Sequence, residues 1–325
     1  HRERVTDDAR ARIVARPNPI MSRSTYFEQQ TAQMLLWGAA YSQRIFDRGT
    51  DETIALYEKI IAGELTPQTE PQAVSSPTLY VPETPFVPRP SLQTRIDGLL
   101  KRSECRLVSL VGPGGSGKTR LALDAAARHA AGFPDGIAFV PLERSVEISD
   151  AIAAIVSALQ IGTQDHSLER RLIEYLYGRE LLLIFDTVEQ VKGIATFIER
   201  LLTAARSLRI LVTSQERINI KAEYVISVGG MDVPAADATD AEVYPSVALF
   251  AQHAERVAGD FDLKAHLADV IALCAYVSGN PLAIELAAAW VRMMTPAQIL
   301  AEIKRSGDFL TSMAQDTSDR HRSMR

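Results

Sequence analysis

The stretch RLVSLVGPGGSGKTRLAL, from Arg106 to Leu123, constrains the fold of this chain more than any other. Leu107 to Val111 is a short apolar run of strand type. Gly112 to Thr119 follows at once and fits G-x-x-x-x-G-K-[ST], and Leu121 to Ala131 is rich in Ala and Leu and reads as a helix. Strand, glycine loop and helix in that order form the setting in which such a loop holds phosphate. Glycines let successive backbone N–H groups turn inward with no Cβ in the way. The helix start adds the positive end of its dipole. The pattern predicts that Gly112, Gly114, Gly115, Ser116 and Gly117 cradle a nucleotide's phosphates. It predicts further that Lys118 reaches the β- and γ-phosphates, that the Thr119 hydroxyl ligates Mg²⁺, and that Arg120 belongs to the same binding segment.

The loop also reads G-x-G-x-x-G through Gly112, Gly114 and Gly117, the dinucleotide pattern, with Glu143 after the next strand as the ribose acid. That pattern has no use for Lys-Thr directly after the last glycine, whereas the phosphate loop requires both.

With 325 residues the chain has room for two or three domains. A net charge of −5 leaves no global basic footprint for nucleic acid. The longest apolar region, 270–291, is interrupted by Ser278, Gly279, Asn280, Pro281 and Glu285, so it is not a membrane span. Cys105 and Cys274 are far apart in apolar contexts and suggest reduced thiols in a cytoplasmic protein. The histidines show no paired-ligand spacing. Beginning at His1 and stopping after a helix boundary, the sequence reads as a fragment.

Residues 1–65 form a first segment: an arginine-rich lead, then helical periodicity from Tyr26 to Leu65. Residues 66–85 are a Pro-rich linker. Residues 86–230 alternate strands and helices. The strands are Leu107–Val111, Gly136–Leu142, Glu180–Asp186, Leu208–Ser214 and Tyr224–Val228, and Asp150 is expected to cap the helix that ends at Leu159. This alternation predicts an α/β fold, a parallel sheet with helices on both faces. Residues 231–325 read as a small all-α domain with helices from Pro245, Leu267, Leu282 to Val291 and Ala297, where Asn280-Pro281 and Thr295-Pro-Ala-Gln298 supply caps.

The third strand ends in a carboxylate. Asp186 is placed to hold Mg²⁺ through water, or else to cap the next helix, and Glu189, three residues on, to polarise an attacking water. FVPRP (Phe86 to Pro90), the glycine loop, LLLIFDTVEQ (Leu181 to Gln190), VTSQERI (Val212 to Ile218) and GNPLAIELAAA (Gly279 to Ala289) occur in this order. In order and spacing they resemble the signal-transducing STAND ATPases, the NB-ARC-like relatives of plant resistance and apoptosis proteins. The nearest group looks like the bacterial regulators, in which the chain continues into a winged helix. DETIALYEKIIAGEL (Asp51 to Leu65) resembles the closing helix of a bacterial transcriptional activator domain, though an ordinary amphipathic helix pair explains it as well.

The resemblance implies an ATP- or ADP-binding switch with Mg²⁺, in which Phe86, Val87 and Arg89 line the adenine pocket and Pro281 packs near the base. It implies flanking regulatory domains as partners and nucleotide-dependent self-association, with neither a membrane nor a direct nucleic-acid site in this segment. Thr213 and Ser214 match the start of the sensor-1 motif. The departures are Pro88 and Pro90 for a glycine and an acid, Thr187 for an Asn or Asp, and Gln215 where an arginine usually reads the γ-phosphate. The two prolines alter the lead-in to the pocket, whereas Thr187 and Gln215 imply slow or absent hydrolysis. Two rival readings stay open: a scaffold that keeps the fold without hydrolysis, and a small-molecule kinase, for which no acceptor site is visible.

Overall fold

A computed structural model describes residues 84–162, 167–235, 238 and 240–305. The helical segment expected over 1–65, nearly all of the Pro-rich linker and the arginine-rich end after Arg305 lie outside the described residues.

Five strands form one parallel sheet: β1 (Leu107–Val111), β2 (Ile137–Pro141), β3 (Leu182–Asp186), β4 (Arg209–Ser214) and β5 (Glu223–Ser227), in the order β2-β3-β4-β1-β5. Successive side chains of a strand point to opposite faces, and in this sheet both faces are apolar. Leu183 and Phe185 of β3, with Ile210 and Val212 of β4, join one core cluster, whereas Leu182, Ile184 and Leu211 join the other. Three helices cover the first face: α3 (Ile148–Ala158), α4 (Leu168–Leu176) and α5 (Ile194–Ala204). Two cover the second: α1 (Pro90–Leu100) and α2 (Lys118–His129). Cover on both sides is why the strands read as continuous apolar runs rather than as alternations.

Two boundaries differ from expectation in ways that matter. Helix α2 starts at Lys118 rather than Leu121, with Gly117 at its N-cap in a left-handed conformation (φ 86°). Lys118 and Thr119 are therefore its first two residues. Helix α3 starts at Ile148 with Glu147 at its N-cap, so Asp150 is the third residue of the helix and not its cap. The Asp150 carboxylate still serves the helix start, accepting from the N–H groups of Val146 at 3.1 Å and Glu147 at 3.0 Å. Those two bonds hold its carboxyl below the usual carboxylate range.

After β5 the chain turns all-helical: α6 (Pro245–Val257), α7 (Leu267–Tyr276), α8 (Pro281–Ala288) and α9 (Pro296–Arg305). Their apolar stripes meet in a third cluster built around Phe250, Val270, Leu273, Ile284 and Ile299. Each such side chain, once buried, contributes about 1.5–3 kcal/mol of transfer free energy. On α6, Val247, Phe250 and Ala254 are buried, while Ala251 and Val257 are half-buried. Helix α8 stops at Ala288, short of Val291, because the chain tightens there: Trp290 donates its N–H to Ala287 and Val291 to Ala288. Asn280 caps α8 by accepting from the Ala283 N–H at 3.2 Å. Thr295 and Gln298 form a reciprocal capping box at α9. Both cysteines are free and buried, and burial pushes the Cys274 thiol up to about 12. Among the described residues no helix is long and apolar enough to cross a membrane.

Candidate functional site

The site sits at the carboxyl edge of the sheet, where open α/β sheets place their ligands. Register aligns the strand ends: Val111 of β1 lies beside Ser214 of β4, and Phe185 of β3 beside Val212. The glycine loop leaves β1, Asp186 closes β3, and Gln215 follows β4, so three strand ends converge there.

Within the loop, Gly115 and Gly117 adopt positive φ (72° and 86°), which L side chains rarely take. Gly112 is tight for another reason: a Cβ there would stand 2.0 Å from the Val228 carbonyl oxygen. Lys118 Nζ folds back onto the loop, donating to the carbonyls of Gly112 at 2.8 Å and Pro113 at 3.0 Å. Partial burial pulls its pKa below the ordinary lysine value, and the negative charges of Glu189 and Asp186 oppose that pull. Glu189 is therefore within electrostatic reach of the lysine, although its side chain is exposed. Gln215 is exposed one residue beyond β4.

Asp186 is held from two directions. The hydroxyls of Thr119, at 2.7 Å, and Thr213, at 2.6 Å, both donate to its Oδ1. Thr213 Oγ1 also accepts from the Thr187 N–H at 3.0 Å. Its second oxygen, Oδ2, takes neither of these bonds. A hydroxyl and a carboxylate side by side are hard oxygen donors of the kind Mg²⁺ takes, and that ion is usually held by one or two carboxylates plus substrate phosphates. No group of three or more His, Cys, Asp or Glu stands ready as a metal cage among the described residues. The donor set thus fits an ion shared with phosphate.

Beside the loop lies a small, half-open cavity lined by Phe86, Val87, Leu121, Met231, Leu249 and Pro281 among others. Ser116 and Gly117 belong to its wall, so it is continuous with the glycine loop. Two arginines that line it are spent on the protein itself. Arg89 is 8% exposed and donates to the carbonyls of Ser116 (3.0 Å), Gly229 (3.0 Å) and Gly230 (2.6 Å). It ties the glycine loop to the connection that leads into the helical part. Burial lowers its pKa, partly offset by Asp232. Arg120 donates to the carbonyls of Thr84 (2.7 Å) and Pro85 (2.8 Å), pinning the segment that carries Phe86 and Val87 against the cavity.

The helical part closes the other side. Asn280 Nδ2 donates to the Gly114 carbonyl at 3.1 Å, and the Leu282 N–H donates to the Gly115 carbonyl at 3.2 Å. Pro281, between them, is buried and lines the cavity. Close backbone approaches bring the parts together: Met231 N–H donates to the Gly279 carbonyl at 2.7 Å, and a Cβ on Gly279 would stand 2.1 Å from the Met231 carbonyl oxygen.

The structure thus brings together the glycine loop, Lys118, Thr119, Asp186, Thr213, Phe86, Val87, Arg89, Arg120 and Pro281. Met231, Leu249 and Glu285 complete the cavity without having been singled out. Glu285 was the most accessible of these to inference, because it stands one helical turn beyond Pro281 in the same motif. The dinucleotide alternative fails on topology. Strand β1 neighbours β4 and β5, whereas a dinucleotide fold sets its second strand beside the first. Glu143 is exposed on the far edge, next to Arg144.

Residues 91–226 match the NB-ARC domain. A Mycobacterium tuberculosis protein named as an HTH-type transcriptional regulator, Rv0890c, is 37% identical over 199 residues, which cover 60% of this chain and 21% of that protein. Rv0894 of the same organism is 34% identical over 221 residues, 67% of this chain and 53% of that protein. The regulatory protein AfsR of Streptomyces coelicolor is 30% identical over 220 residues, 61% of this chain and 20% of that protein. This chain therefore spans about a fifth of the named regulators it matches and about half of Rv0894. Residues 91–226 thus carry an NB-ARC domain, and the chain is similar to bacterial proteins named as regulators.

Proposed function

We propose that the chain is the nucleotide-operated switch of a larger regulator, holding ADP or ATP with Mg²⁺ between the glycine loop and the helical part. The observation that carries this reading is the seating of α8 on the loop through Asn280 and Leu282. The carbonyls that receive α8 belong to the loop that would cradle phosphate, so a change in the bound phosphates bears directly on the docking of α8. A ligand shifts such an equilibrium only by binding one arrangement better than the other. A base in the cavity would touch Pro281, and so would favour the seated state.

In this reading the main-chain N–H groups from Gly112 to Gly117 hold the phosphates. Lys118 leaves its loop carbonyls for the β- and γ-phosphates. Thr119 and Asp186 hold the ion. Mg²⁺, when bound, would neutralise phosphate charge. Glu189 orients water, and Gln215 occupies the γ-phosphate-reading position without a charge, so hydrolysis is slow or absent. Output passes to flanking domains, by reorientation or by self-association, in a cytoplasmic regulator of transcription; a relative named as an HTH-type transcriptional regulator supports the regulatory role.

The test is nucleotide binding by calorimetry, combined with hydrogen exchange of α8. Wild type should bind ADP, and ADP should protect the amides of α8. Lys118→Ala should lose about 1.5–3 kcal/mol of ADP affinity, the worth of a charge-assisted hydrogen bond. Full ADP affinity in that variant would overturn the assignment of the loop. No binding of either ADP or ATP to wild type would leave the scaffold reading.

A further inference from the structure

We propose that Arg120 is a positioning residue for the base rather than a phosphate ligand: it holds in place the strap of residues 84–89 that walls the cavity. This rests on the nucleotide reading above. The strap, Thr84-Pro-Phe-Val-Pro-Arg89, is the chain immediately before α1. Proline has no N–H to give, so Pro85 and Pro88 leave the strap short of donors for a regular ladder. Among the described residues no main-chain hydrogen bond ties residues 84–88 to another segment. Side chains hold the strap instead, with one arginine at each end. Downstream, Arg89 stands at the N-cap of α1 and donates to the carbonyls of Ser116, Gly229 and Gly230. Upstream, Arg120 donates to the Thr84 hydroxyl and to the carbonyls of Thr84 at 2.7 Å and Pro85 at 2.8 Å.

Between these anchors lie two apolar side chains with different neighbours. Phe86 packs against the core on the α1–α2 face of the sheet, and Val87 against the core of the helical part. Both line the cavity, as do Pro85 and Arg89, so one wall that meets the base belongs to the strap. Arg120 is the third residue of α2, directly after Lys118 and Thr119. The helix start that faces the phosphates therefore also fixes the wall that faces the base. A guanidinium suits this task, because its planar fork serves several acceptors in a fixed geometry, whereas a lysine ammonium is a point charge on a flexible stem. Without Arg120 the upstream end of the strap loses its anchor. A nucleotide must then fix that backbone as it binds. A ligand made of phosphates alone does not meet the strap and escapes that cost.

The experiment is a calorimetric titration of ADP and of inorganic pyrophosphate, each with Mg²⁺, into the 325-residue chain, as wild type, Arg120→Ala and Arg120→Lys. Arg120→Ala should lose about tenfold in ADP affinity, as expected when binding must fix one more residue's backbone. The ratio of ADP to pyrophosphate affinity should fall by a similar factor. Arg120→Lys keeps the charge but not the fork, so the ratio should fall there too. A melting temperature of each free variant close to that of wild type separates these effects from misfolding. Equal losses of ADP and pyrophosphate affinity in Arg120→Ala, both restored in Arg120→Lys, would show that the charge acts on the phosphates and would overturn the role of Arg120 as a strap anchor. An ADP affinity untouched by either substitution would overturn it as well. Wild type that binds neither ligand would overturn the nucleotide reading and this inference with it.

Discussion

Leu282 and Gly115 meet so closely that nothing larger than a hydrogen fits between them. The Leu282 N–H donates to the Gly115 carbonyl, and a Cβ built on Gly115 would stand 2.7 Å from Leu282 Cβ. Gly115 therefore serves two ends: its positive φ shapes the phosphate loop, and its missing side chain admits the start of α8.

Gly115→Ala and Gly117→Ala separate those roles. Both residues have positive φ, so both substitutions carry the strain of a left-handed alanine, about 1–2 kcal/mol. At Gly117 the nearest atom to the added carbon is Pro281 Cγ at 3.7 Å, an ordinary contact. Gly115→Ala should thus be the less stable variant in urea unfolding. It alone should lose hydrogen-exchange protection at the Leu282 amide. Equal protection in the two variants would mean that α8 does not depend on this contact for its seat.

Thr187 is a β-branched residue at φ 62°, a conformation such side chains rarely adopt. It is held there by its N–H bond to Thr213 Oγ1, in the network that also fixes Asp186. Asparagine tolerates this region far better. Thr187→Asn should raise the free energy of unfolding by about 1 kcal/mol without weakening Mg-dependent nucleotide binding. A loss of stability would show that the Thr187 methyl makes packing contacts worth more than the strain.

The parallel sheet could be read from the sequence because its strands are apolar on both faces, and Leu182 to Phe185 packs alternately into the two cores. The phosphate loop was legible because its chemistry is local: the glycines, Lys118 and Thr119 act within one turn of chain. The cavity was legible only in part. Met231 and Leu249 reach it from separate segments and carry no local signal, since any apolar residue suits either a core or a cavity wall. The use of Arg89 as a staple was hidden too, because its acceptors are main-chain carbonyls, which every residue has. Asp150 misled for a simpler reason: aspartate favours both the cap and the first turn of a helix, and only the path of the chain decides between them.

Asp97 gives a pH dependence with a defined sign. Burial pushes its carboxyl up, but hydrogen bonds from Arg128 and His129 outweigh that and hold it below the ordinary value. His129 Nε2 lies 2.8 Å from its Oδ1. A carboxylate with a lowered folded-state pKa contributes stability that is present above the unfolded value, about 3.9, and is lost as pH falls through the folded value. The contribution of such a partly exposed pair is below about 1 kcal/mol. Asp97→Asn should be slightly less stable than wild type at pH 6 and should lose less stability between pH 5 and pH 3. Parallel pH profiles for the two proteins in urea unfolding would show that the cluster is not coupled to folding.

Gln215 bears on hydrolysis. It follows the last residue of β4, Ser214, which pairs with Val111 immediately before the glycine loop. In the proposed function that position reads the γ-phosphate, but Gln215 brings an amide rather than a charge. Negative charge builds on the phosphoryl oxygens as the bond to the leaving group breaks, and a cation stabilises it there. Arginines in comparable roles are worth roughly 10³–10⁵ in rate, so wild type should hydrolyse ATP slowly or not at all while still binding it. Arg217, two residues on, does not supply the charge: β4 has ended by then, the side chain is 61% exposed, and its Nε lies 4.0 Å from the buried carboxylate of Glu223. Gln215→Arg should therefore raise the single-turnover rate of ATP hydrolysis by at least an order of magnitude, with ATP affinity changed far less. Brisk turnover by wild type, left unchanged by the added arginine, would show that another residue reads the γ-phosphate.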